Sequence, residues 1–296
     1  MFLVTGTSGF IGKHLLRTLI GLHGKENVVA LTSVPVEECQ YLLHDNYNFD
    51  GNFFITAGYG SIHTVIHVGA FTPKSGKEAN NPESCYSNIN TTQKLLHVNL
   101  PLLKRFIFLS TLDVYDSTDT ISEETVIKPA SLYGLSKYYC ERMIEIWGKE
   151  KETIIQVLRL GHVYGPGEEY YQKIIPVTFR RLINSQPLQI WGTGEEKRSF
   201  IFINDIIKAI IASLELKESI GPVNLVGAQV VSIRQLMDMM ILVTGINTVI
   251  ENLPATVKAR NFVFDNDKMR QFLLKSEIPL LQGLSEEWEY MKQLPA

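Results

Sequence analysis

The chain opens with MFLVTGTSGFIG, residues 1–12, in which an apolar run meets three glycines spaced three residues apart. The run Phe2–Thr5 predicts a short buried strand, and the residues Gly9–Gly21 that follow have the apolar spacing of a helix. A strand that turns through glycines into a helix is the first half of a βαβ unit, the repeat of open parallel sheets. This stretch therefore indicates the fold class.

The three glycines of this turn each have a physical task. Gly6 permits the tight turn off the strand, Gly9 lacks a Cβ and lets the backbone approach a pyrophosphate, and Gly12 lets the helix pack close to the sheet. The helix N-terminus adds free N–H groups and the positive end of a dipole. The turn therefore predicts a dinucleotide-binding site, whose residues are Gly6, Ser8, Gly9, Phe10, Ile11 and Gly12.

Short apolar runs alternate with helical patterns through the first 165 residues. The runs that predict strands are Val28–Thr32, Thr64–Val68, Phe106–Ser110 and Ile154–Leu160. The spacing predicts helices over Cys85–His97 and Ala130–Trp147. Because strands that are apolar throughout are buried on both faces, we predict an α/β fold with a doubly wound parallel sheet, the Rossmann arrangement.

The pattern changes after Pro166, where we predict a smaller, interleaved C-terminal lobe that binds substrate. The dinucleotide-binding domain is predicted to cover residues 1–165, with segments near 201–226 returning to it. The lobe then covers 166–200 and 227–296. The elements predicted here are helices at Ile174–Asn184, Asn204–Leu216 and Ser232–Val243, a helical pattern from Asp265, and strands at Leu188–Ile190 and Val223–Val226.

Composition excludes several classes of function. A net charge of −3 provides no basic field for nucleic acid and no polybasic patch for a membrane. We expect a cytoplasmic protein, since its three cysteines form no disulfide pattern and no basic segment precedes the apolar run at Phe2. His63 and His67 lie on or beside a strand with no third ligand near in sequence, so we predict no metal site.

The segment YGLSK, residues 133–137, places Tyr133 and Lys137 four residues apart, on one face of a predicted helix. A neighbouring ammonium favours the phenolate and lowers the pKa of a tyrosine from its ordinary value of about 10. Such a tyrosine can exchange a proton with a sugar hydroxyl while a hydride passes to or from a nicotinamide. We therefore predict that Tyr133 is a catalytic acid/base and that Lys137 tunes it and contacts the cofactor ribose.

These motifs resemble those of the extended short-chain dehydrogenase/reductase family, in its NAD-dependent nucleotide-sugar epimerase/dehydratase branch. The G-x-x-G-x-x-G spacing matches that family's turn, and STLDVY, residues 110–115, is similar to its S-[ST]-x-x-V-Y signature. By this resemblance Thr111 is the catalytic hydroxyl residue, with Ser110 as the alternative, and both contact substrate. Asn88 matches a helix asparagine that helps a proton relay. The family commonly dimerises through two long helices, here Cys85–His97 and Ala130–Trp147, so a homodimer is expected.

The resemblance also implies substrate contacts in the second lobe. The run RLGHVYGPG, residues 159–167, is similar to R-x-x-N-V-Y-G-P-G, with His162 in place of the asparagine that touches the substrate diphosphate. Arg198 matches the arginine of the family's R-D-F motif, and Arg260 matches a second arginine that binds the diphosphate. Guanidinium groups suit phosphate oxygens, so a nucleotide-sugar substrate is implied.

The cofactor and the reaction are less closely defined. The second strand ends at Thr32 and Ser33 with neither an acidic residue nor an arginine, so NAD or NADP is possible, and NAD is favoured because no cation is present. Thr32 is expected to contact the cofactor. Hydride transfer at a sugar carbon, by an epimerase or a ketoreductase, is the predicted reaction. The alternatives are a reductase of a non-sugar carbonyl and a non-catalytic NADP-sensing protein.

A 4,6-dehydratase ranks lower. Its signature has an Asp–Glu pair after the threonine, where this chain has Leu112 and Asp113.

Overall fold

A computed structural model of the chain describes residues 1–116, 120–254 and 261–295. The strands are β1 Phe2–Thr5, β2 Val28–Thr32, β3 Gln40–Leu43, β4 Thr64–His67, β5 Arg105–Thr111, β6 Ile154–Leu160, β7 His162–Tyr164, β8 Leu188–Trp191, β9 Lys197–Phe202, β10 Val223–Leu225, β11 Val230–Ser232 and β12 Ile250–Leu253. The α-helices are α1 Phe10–His23, α2 Phe53–Thr56, α3 Pro82–Leu96, α4 Leu132–Glu150, α5 Ile174–Ile183, α6 Ile203–Ser213, α7 Ile233–Thr244, α8 Asp267–Phe272 and α9 Leu280–Met291.

The predicted Rossmann fold is confirmed by a seven-stranded sheet in the order β10-β6-β5-β4-β1-β2-β3. Neighbouring strands from β6 to β3 pair in parallel. The strands β1, β2 and β4 are buried at every residue, as expected when helices cover both faces. The strand order reverses between β1 and β4, so the carboxyl ends of β1, β4 and β5 lie side by side at the edge where open α/β sheets bind ligands.

The described residues divide into two compact units. The first comprises residues 1–116, 126–160 and 210–223, and its core packs residues of β1, β2, β4 and β5 against α3 and α4, with Leu3, Val65 and Phe106 almost fully buried. The second comprises residues 120–125, 161–209 and 224–295 as far as the chain is described. It contains a three-stranded sheet, β11-β9-β7, and a two-stranded sheet, β12-β8. Among the described residues, none of the helices combines the length and apolarity needed to cross a membrane.

The sequence missed several short strands and fused two helices. The strand β3 is short and mostly exposed at the sheet edge, so it lacks the apolar alternation that marks a half-buried strand. The strands β7, β9, β11 and β12 were likewise not predicted. The helical pattern from Asp265 is interrupted between α8 and α9, where Pro279 takes extended ψ at the start of α9. The residue before a proline avoids the helical conformation, so α9 does not extend back beyond Pro279, while α8 has already ended at Phe272.

Candidate active site

The glycine turn has the close backbone approaches that its sequence predicts. Gly6 adopts a φ of +68°, and a Cβ there would lie 2.6 Å from the Cα of Gly69, just after β4. A Cβ on Gly12 would overlap the carbonyl oxygen of Gly6, so this glycine packs against the turn itself. The amide of Gly9 donates to the carbonyl oxygen of Gly6 at 3.1 Å. A side chain at Gly6 or Gly12 would clash with backbone atoms, so glycine is required at both positions. The turn of residues 6–12 is called the cradle below.

The N-terminus of α1 suits an anion. Its N-cap is Gly9, which has no side chain to cap the helix, and the first turn carries no acidic residue. The first amides and the positive dipole end are therefore directed at the cradle, the arrangement in which helix termini bind phosphate. Ser8 is exposed, Ile11 is half-buried and Phe10 is buried. The turn fits the pyrophosphate of a dinucleotide.

A buried histidine that sequence analysis set aside supports this cradle. Both ring nitrogens of His67 form hydrogen bonds. Nδ1 pairs with the hydroxyl of Thr5 at 2.8 Å, and Nε2 pairs with the hydroxyl of Thr92 at 3.1 Å. The hydroxyl of Thr5 also accepts the amide hydrogen of Gly69 at 2.9 Å. Burial, with a smaller effect of the Lys137 charge, lowers the pKa of His67 to about 3, so the ring is neutral. His67 thus fixes the two backbone segments that form the cradle.

Thr32, the predicted cofactor contact on β2, has a local role in the structure. Its side chain is buried, and its hydroxyl donates to the carbonyl oxygen of Val34 at 2.9 Å. Ser33, next in the chain, is exposed.

The predicted helix of Tyr133 and Lys137 is α4, whose start is fixed by two contacts. Ser131 is its N-cap, and the Ser131 hydroxyl accepts the amide hydrogen of Gly134 at 3.1 Å. A Cβ on Gly134 would overlap the carbonyl oxygen of Asp113, so the first turn of α4 lies directly on the 3₁₀ turn Leu112–Val114 that follows β5. This packing brings the first turn of α4, which contains Tyr133, onto the segment that follows Thr111 at the end of β5.

Lys137 is buried one turn after Tyr133. Its ammonium donates to the carbonyl oxygen of Leu109 at 2.6 Å and lies 4.1 Å from the ring centre of Phe108. Burial lowers the pKa of Lys137 to about 8, against an opposing effect of Cys140 and Glu141. At pH 7 the side chain still carries a positive charge, held against β5.

The two candidate hydroxyls of β5 have different surroundings. The hydroxyl of Ser110 donates to a carboxylate oxygen of Glu141 at 2.5 Å and is buried. The hydroxyl of Thr111 accepts the amide hydrogen of Asp113 at 3.2 Å, which leaves its own proton for another acceptor. Thr111 therefore suits a reacting oxygen better than Ser110 does.

Sequence analysis missed the charged network beneath these hydroxyls. Arg159 on β6 donates to both carboxylate oxygens of Glu141 on α4, with its Nη2 at 2.6 Å from Oε2. The Nη1 of Arg159 donates to the Tyr115 hydroxyl at 2.5 Å. Arg159 and Glu141 are at most 3% exposed. The network joins α4 to β6 behind Ser110, and neither the spacing of these residues nor their type marks it in the sequence.

Asn88 on α3 is also buried. Its amide oxygen accepts the amide hydrogen of Phe71 at 2.7 Å, and its amide nitrogen donates to the Phe71 carbonyl at 3.2 Å. This paired contact anchors the segment after β4, whose Phe71 ring lies edge-on to the ring of Tyr133 at 6.5 Å.

The second unit has a pocket of about 270 Å³. It contains two of the predicted substrate residues, His162 on β7 and Arg198 on β9, together with Lys173 and Glu168, which were not predicted. Apolar side chains of Val163, Tyr164, Ile174, Ile175, Phe200 and Ile233 form the other walls. The guanidinium of Arg198 lies 5.0 Å from the ring centre of Phe262, a stacking distance. Arg260, the third predicted substrate residue, lies outside the described residues.

The charged residues of the pocket are the cations Arg198 and Lys173 and the acid Glu168. Desolvation by the pocket walls, together with the positive charges of Arg198 and Lys173, lowers the pKa of His162 to about 4. A neutral imidazole and two cations in a partly apolar cavity suit a ligand that joins a ring to phosphate groups.

One family model and several known proteins are similar to this chain. The family described as "NAD dependent epimerase/dehydratase family" matches residues 2–227. An uncharacterised UDP-glucose epimerase of Bacillus subtilis (strain 168) is 28% identical, over 99% of this chain and 98% of its own length. A dTDP-4-dehydro-6-deoxy-D-allose reductase of Streptomyces sp is also 28% identical, over 96% of this chain and 94% of its own length.

Solved structures share the whole fold. The crystal structure of UDP-glucuronic acid 4-epimerase from Bacillus cereus in complex with NAD is 27% identical, covers 99% of this chain and 98% of its own, and has a TM-score of 0.83. The similarity therefore extends over both units of the chain.

Proposed function

Because this chain belongs to the NAD dependent epimerase/dehydratase family, we propose that it transfers a hydride at a sugar carbon of a nucleotide-linked sugar. One observation carries the proposal. The charged Lys137 is held against β5 one helical turn after Tyr133, while the first turn of α4 lies on the segment that follows Thr111. This is the group of side chains that proton exchange at a sugar hydroxyl needs.

The proposed cofactor is NAD. Gly6, Ser8, Gly9, Phe10, Ile11 and Gly12 would hold its pyrophosphate, and Lys137 would contact its nicotinamide ribose. When bound, NAD supplies the acceptor and donor of the hydride. The absence of an arginine at the end of β2 supports NAD over NADP, as does the NAD complex of the Bacillus cereus epimerase.

The chain's own residues move the proton. Tyr133, as the phenolate, accepts the proton of the sugar hydroxyl, and as the phenol it returns that proton when the carbonyl is reduced. The ammonium of Lys137 stabilises the phenolate by its charge. Thr111 donates a hydrogen bond to the reacting oxygen and orients it.

The pocket of the second unit is the proposed site of the nucleoside diphosphate. Arg198 can donate two hydrogen bonds to phosphate oxygens, and the neutral His162 can donate one. Arg260 is proposed as a further phosphate contact on the motif alone. The apolar walls suit the nucleobase.

Hydride transfer without elimination is favoured over a dehydratase reaction. The residue after Thr111 is Leu112, which is 7% exposed and cannot donate a proton to a leaving hydroxyl. An epimerase and a ketoreductase use the same residues, and differ in whether the cofactor is regenerated within each turnover.

The test is turnover of UDP-glucose and UDP-glucuronic acid by the wild-type protein and by Tyr133→Phe. An epimerase converts them with no net change in NADH absorbance, whereas a ketoreductase consumes one NAD(P)H for each keto-sugar supplied. Tyr133→Phe should lower kcat by about 100-fold or more with little change in cofactor affinity. Equal activity of the two proteins would refute the role of Tyr133.

A homodimer is proposed on α3 and α4, which pack together in the first unit. These helices present the apolar side chains of Tyr86, Leu135, Tyr139 and Ile146, each more than half exposed. Light scattering on the purified protein should give twice the chain mass, and Tyr139→Glu should reduce it to the monomer mass. A monomeric wild type would contradict the proposal.

A further inference from the structure

Two glutamates of the second unit have buried carboxyl groups that touch each other. Glu168 precedes α5 and Glu287 lies on α9, and each is 1% exposed. Their side chains are within hydrogen-bonding contact. Among the described residues, none of their four carboxyl oxygens accepts a well-aligned hydrogen bond, although the Lys173 ammonium lies 3.3 Å from Oε2 of Glu168. Buried polar groups are rarely left in this state, so the pair requires an explanation.

Two adjacent buried carboxylates cannot both be ionised at moderate cost, because burial and mutual repulsion both disfavour the second charge. Burial is the largest cause that raises the pKa of each acid, and for Glu287 the charge of Glu168 adds to it. One shared proton removes the repulsion and supplies the missing hydrogen bond. The pair then carries a single negative charge.

Among the residues that the structure describes, the groups that act on this pair include one cation. The phenols of Tyr164 and Tyr171 and the acid Glu169 lie near it, and Asp205 and Glu286 face Tyr164. The cation is Lys173, whose ammonium lies 3.3 Å from Oε2 of Glu168. The shared proton therefore leaves one carboxylate charge opposite one ammonium.

Lys173 also lines the pocket proposed for the nucleoside diphosphate. Its ammonium donates to the carbonyl oxygen of Val163 at 3.0 Å, and its side chain is 43% exposed. The contacts to Val163 and Glu168 hold the ammonium at the pocket wall, and an ammonium has three protons to donate. A ligand in the pocket can therefore meet a positioned donor.

We propose that Glu168 and Glu287 share one proton and that their single charge holds Lys173 in the pocket as a further binding residue for a nucleoside diphosphate. The identity of the ligand rests on the proposed function, whereas the shared proton of the carboxyl pair does not. With one carboxylate balancing Lys173, the charge of Arg198 is left to attract the diphosphate. Loss of the shared proton would add a negative charge beside the pocket and weaken binding.

The first experiment needs no ligand. Glu287→Gln keeps a donor beside Glu168 but cannot ionise, so its melting temperature should exceed that of the wild type by several degrees at pH 8 and much less at pH 5. Glu286→Gln is the matched control, since Glu286 is the exposed neighbour on the same helix, and it should follow the wild type at both pH values. If the difference in melting temperature between Glu287→Gln and the wild type were the same at pH 5 and pH 8, the shared proton would be refuted.

A second measurement keeps this test valid if Glu287→Gln fails to fold. The infrared spectrum of the wild type at pH 7, where exposed carboxyl groups are ionised, should contain the carbonyl band of a protonated carboxylic acid, which Glu168→Gln should remove or shift. A wild-type spectrum without that band would also overturn the pair.

The ligand experiment is calorimetry with UDP, uridine and pyrophosphate. Lys173→Met should weaken UDP binding by roughly tenfold or more, the loss expected for one charge-assisted hydrogen bond. The same loss for pyrophosphate would identify the phosphates as the contact, and a loss for uridine would identify the nucleoside. Unchanged affinity for all three would overturn the role of Lys173. A wild type that binds none of the three ligands would overturn both the role of Lys173 and the proposed nucleoside diphosphate site. The melting experiment would still test the shared proton, because it needs no ligand.

Discussion

The ammonium of Lys137 donates a hydrogen bond to the main-chain oxygen of Leu109 at 2.6 Å, and so fixes α4 to the strand β5. The same buried contact explains two properties at once. It positions a positive charge one helical turn from Tyr133, and it places that charge where desolvation lowers the pKa of the lysine to about 8. A site that needs a buried cation costs stability, and this cost can be measured.

Lys137→Met should therefore be more stable and less active than the wild type. Folded Lys137 loses its proton near pH 8, while the unfolded lysine keeps it to about pH 10.4, so wild-type stability rises with pH across that interval. The variant should lack this rise, which is about 2–3 kcal/mol in the free energy of unfolding. Urea unfolding at pH 7 and pH 10 measures it. Its kcat should fall by about 100-fold or more, and a fully active variant would contradict the role assigned to Lys137.

Glu141→Ala should destabilise the first unit strongly. It leaves the buried Arg159 guanidinium without its carboxylate, which costs about 3–5 kcal/mol. Glu145→Ala on the same helix is the matched control, because Glu145 pairs with Arg142 nearer the surface and should cost less than about 1 kcal/mol. Denaturant unfolding measures the free energy of unfolding of both variants. Equal losses would show that the buried Glu141–Arg159 pair contributes no more to stability than the Glu145–Arg142 pair nearer the surface.

Gly12→Ala should impair cofactor binding, because its methyl group would overlap the Gly6 carbonyl oxygen and displace the turn. We expect the free energy of NAD binding to become less favourable by about 1–3 kcal/mol, measured as a higher dissociation constant for NAD. Gly21→Ala lies in the same helix, where a Cβ would meet nothing within 4 Å. That control should leave NAD affinity unchanged and raise stability by about 1 kcal/mol. Normal NAD affinity in Gly12→Ala would contradict the cradle.

His67 predicts a loss of stability in mild acid. Its pKa is about 3 when folded and about 6.5 when unfolded, so the unfolded chain binds the extra proton and stability falls as pH drops below about 6.5. Between pH 7 and pH 5 the loss is about 2 kcal/mol. Urea unfolding of the wild type and His67→Asn at both pH values isolates this contribution, with the exposed His97→Gln as the control. The same pH dependence in wild type and His67→Asn would count against it.

Arg198→Ala should raise the KM for a nucleotide sugar by about 10- to 100-fold, the effect of removing charge-assisted hydrogen bonds to phosphate. Arg180→Ala removes the same charge from an exposed position on α5 and should leave KM unchanged. Steady-state kinetics on both variants also separates the substrate classes. An unchanged KM in Arg198→Ala would favour a substrate without a diphosphate, such as a non-sugar carbonyl compound.

Much of the first unit could be predicted from the sequence because its signals are local. The bounds of β1, β2 and β6 agree with the predicted ones, since each is a short apolar run between polar or glycine residues. The spacing of Gly6, Gly9 and Gly12 and the four-residue interval from Tyr133 to Lys137 are likewise properties of neighbouring residues.

Contacts between residues distant in the chain were decided only by the tertiary structure. Nothing local in the sequence pairs Glu141 with Arg159, joins His67 to Thr5, or brings Glu168 against Glu287, because each contact depends on how separate elements pack. Burial then determines what these groups do. The same side chains would titrate normally in water, and only the packed interior makes His67 neutral, lowers the pKa of Lys137 and leaves two carboxyl groups to compete for one proton.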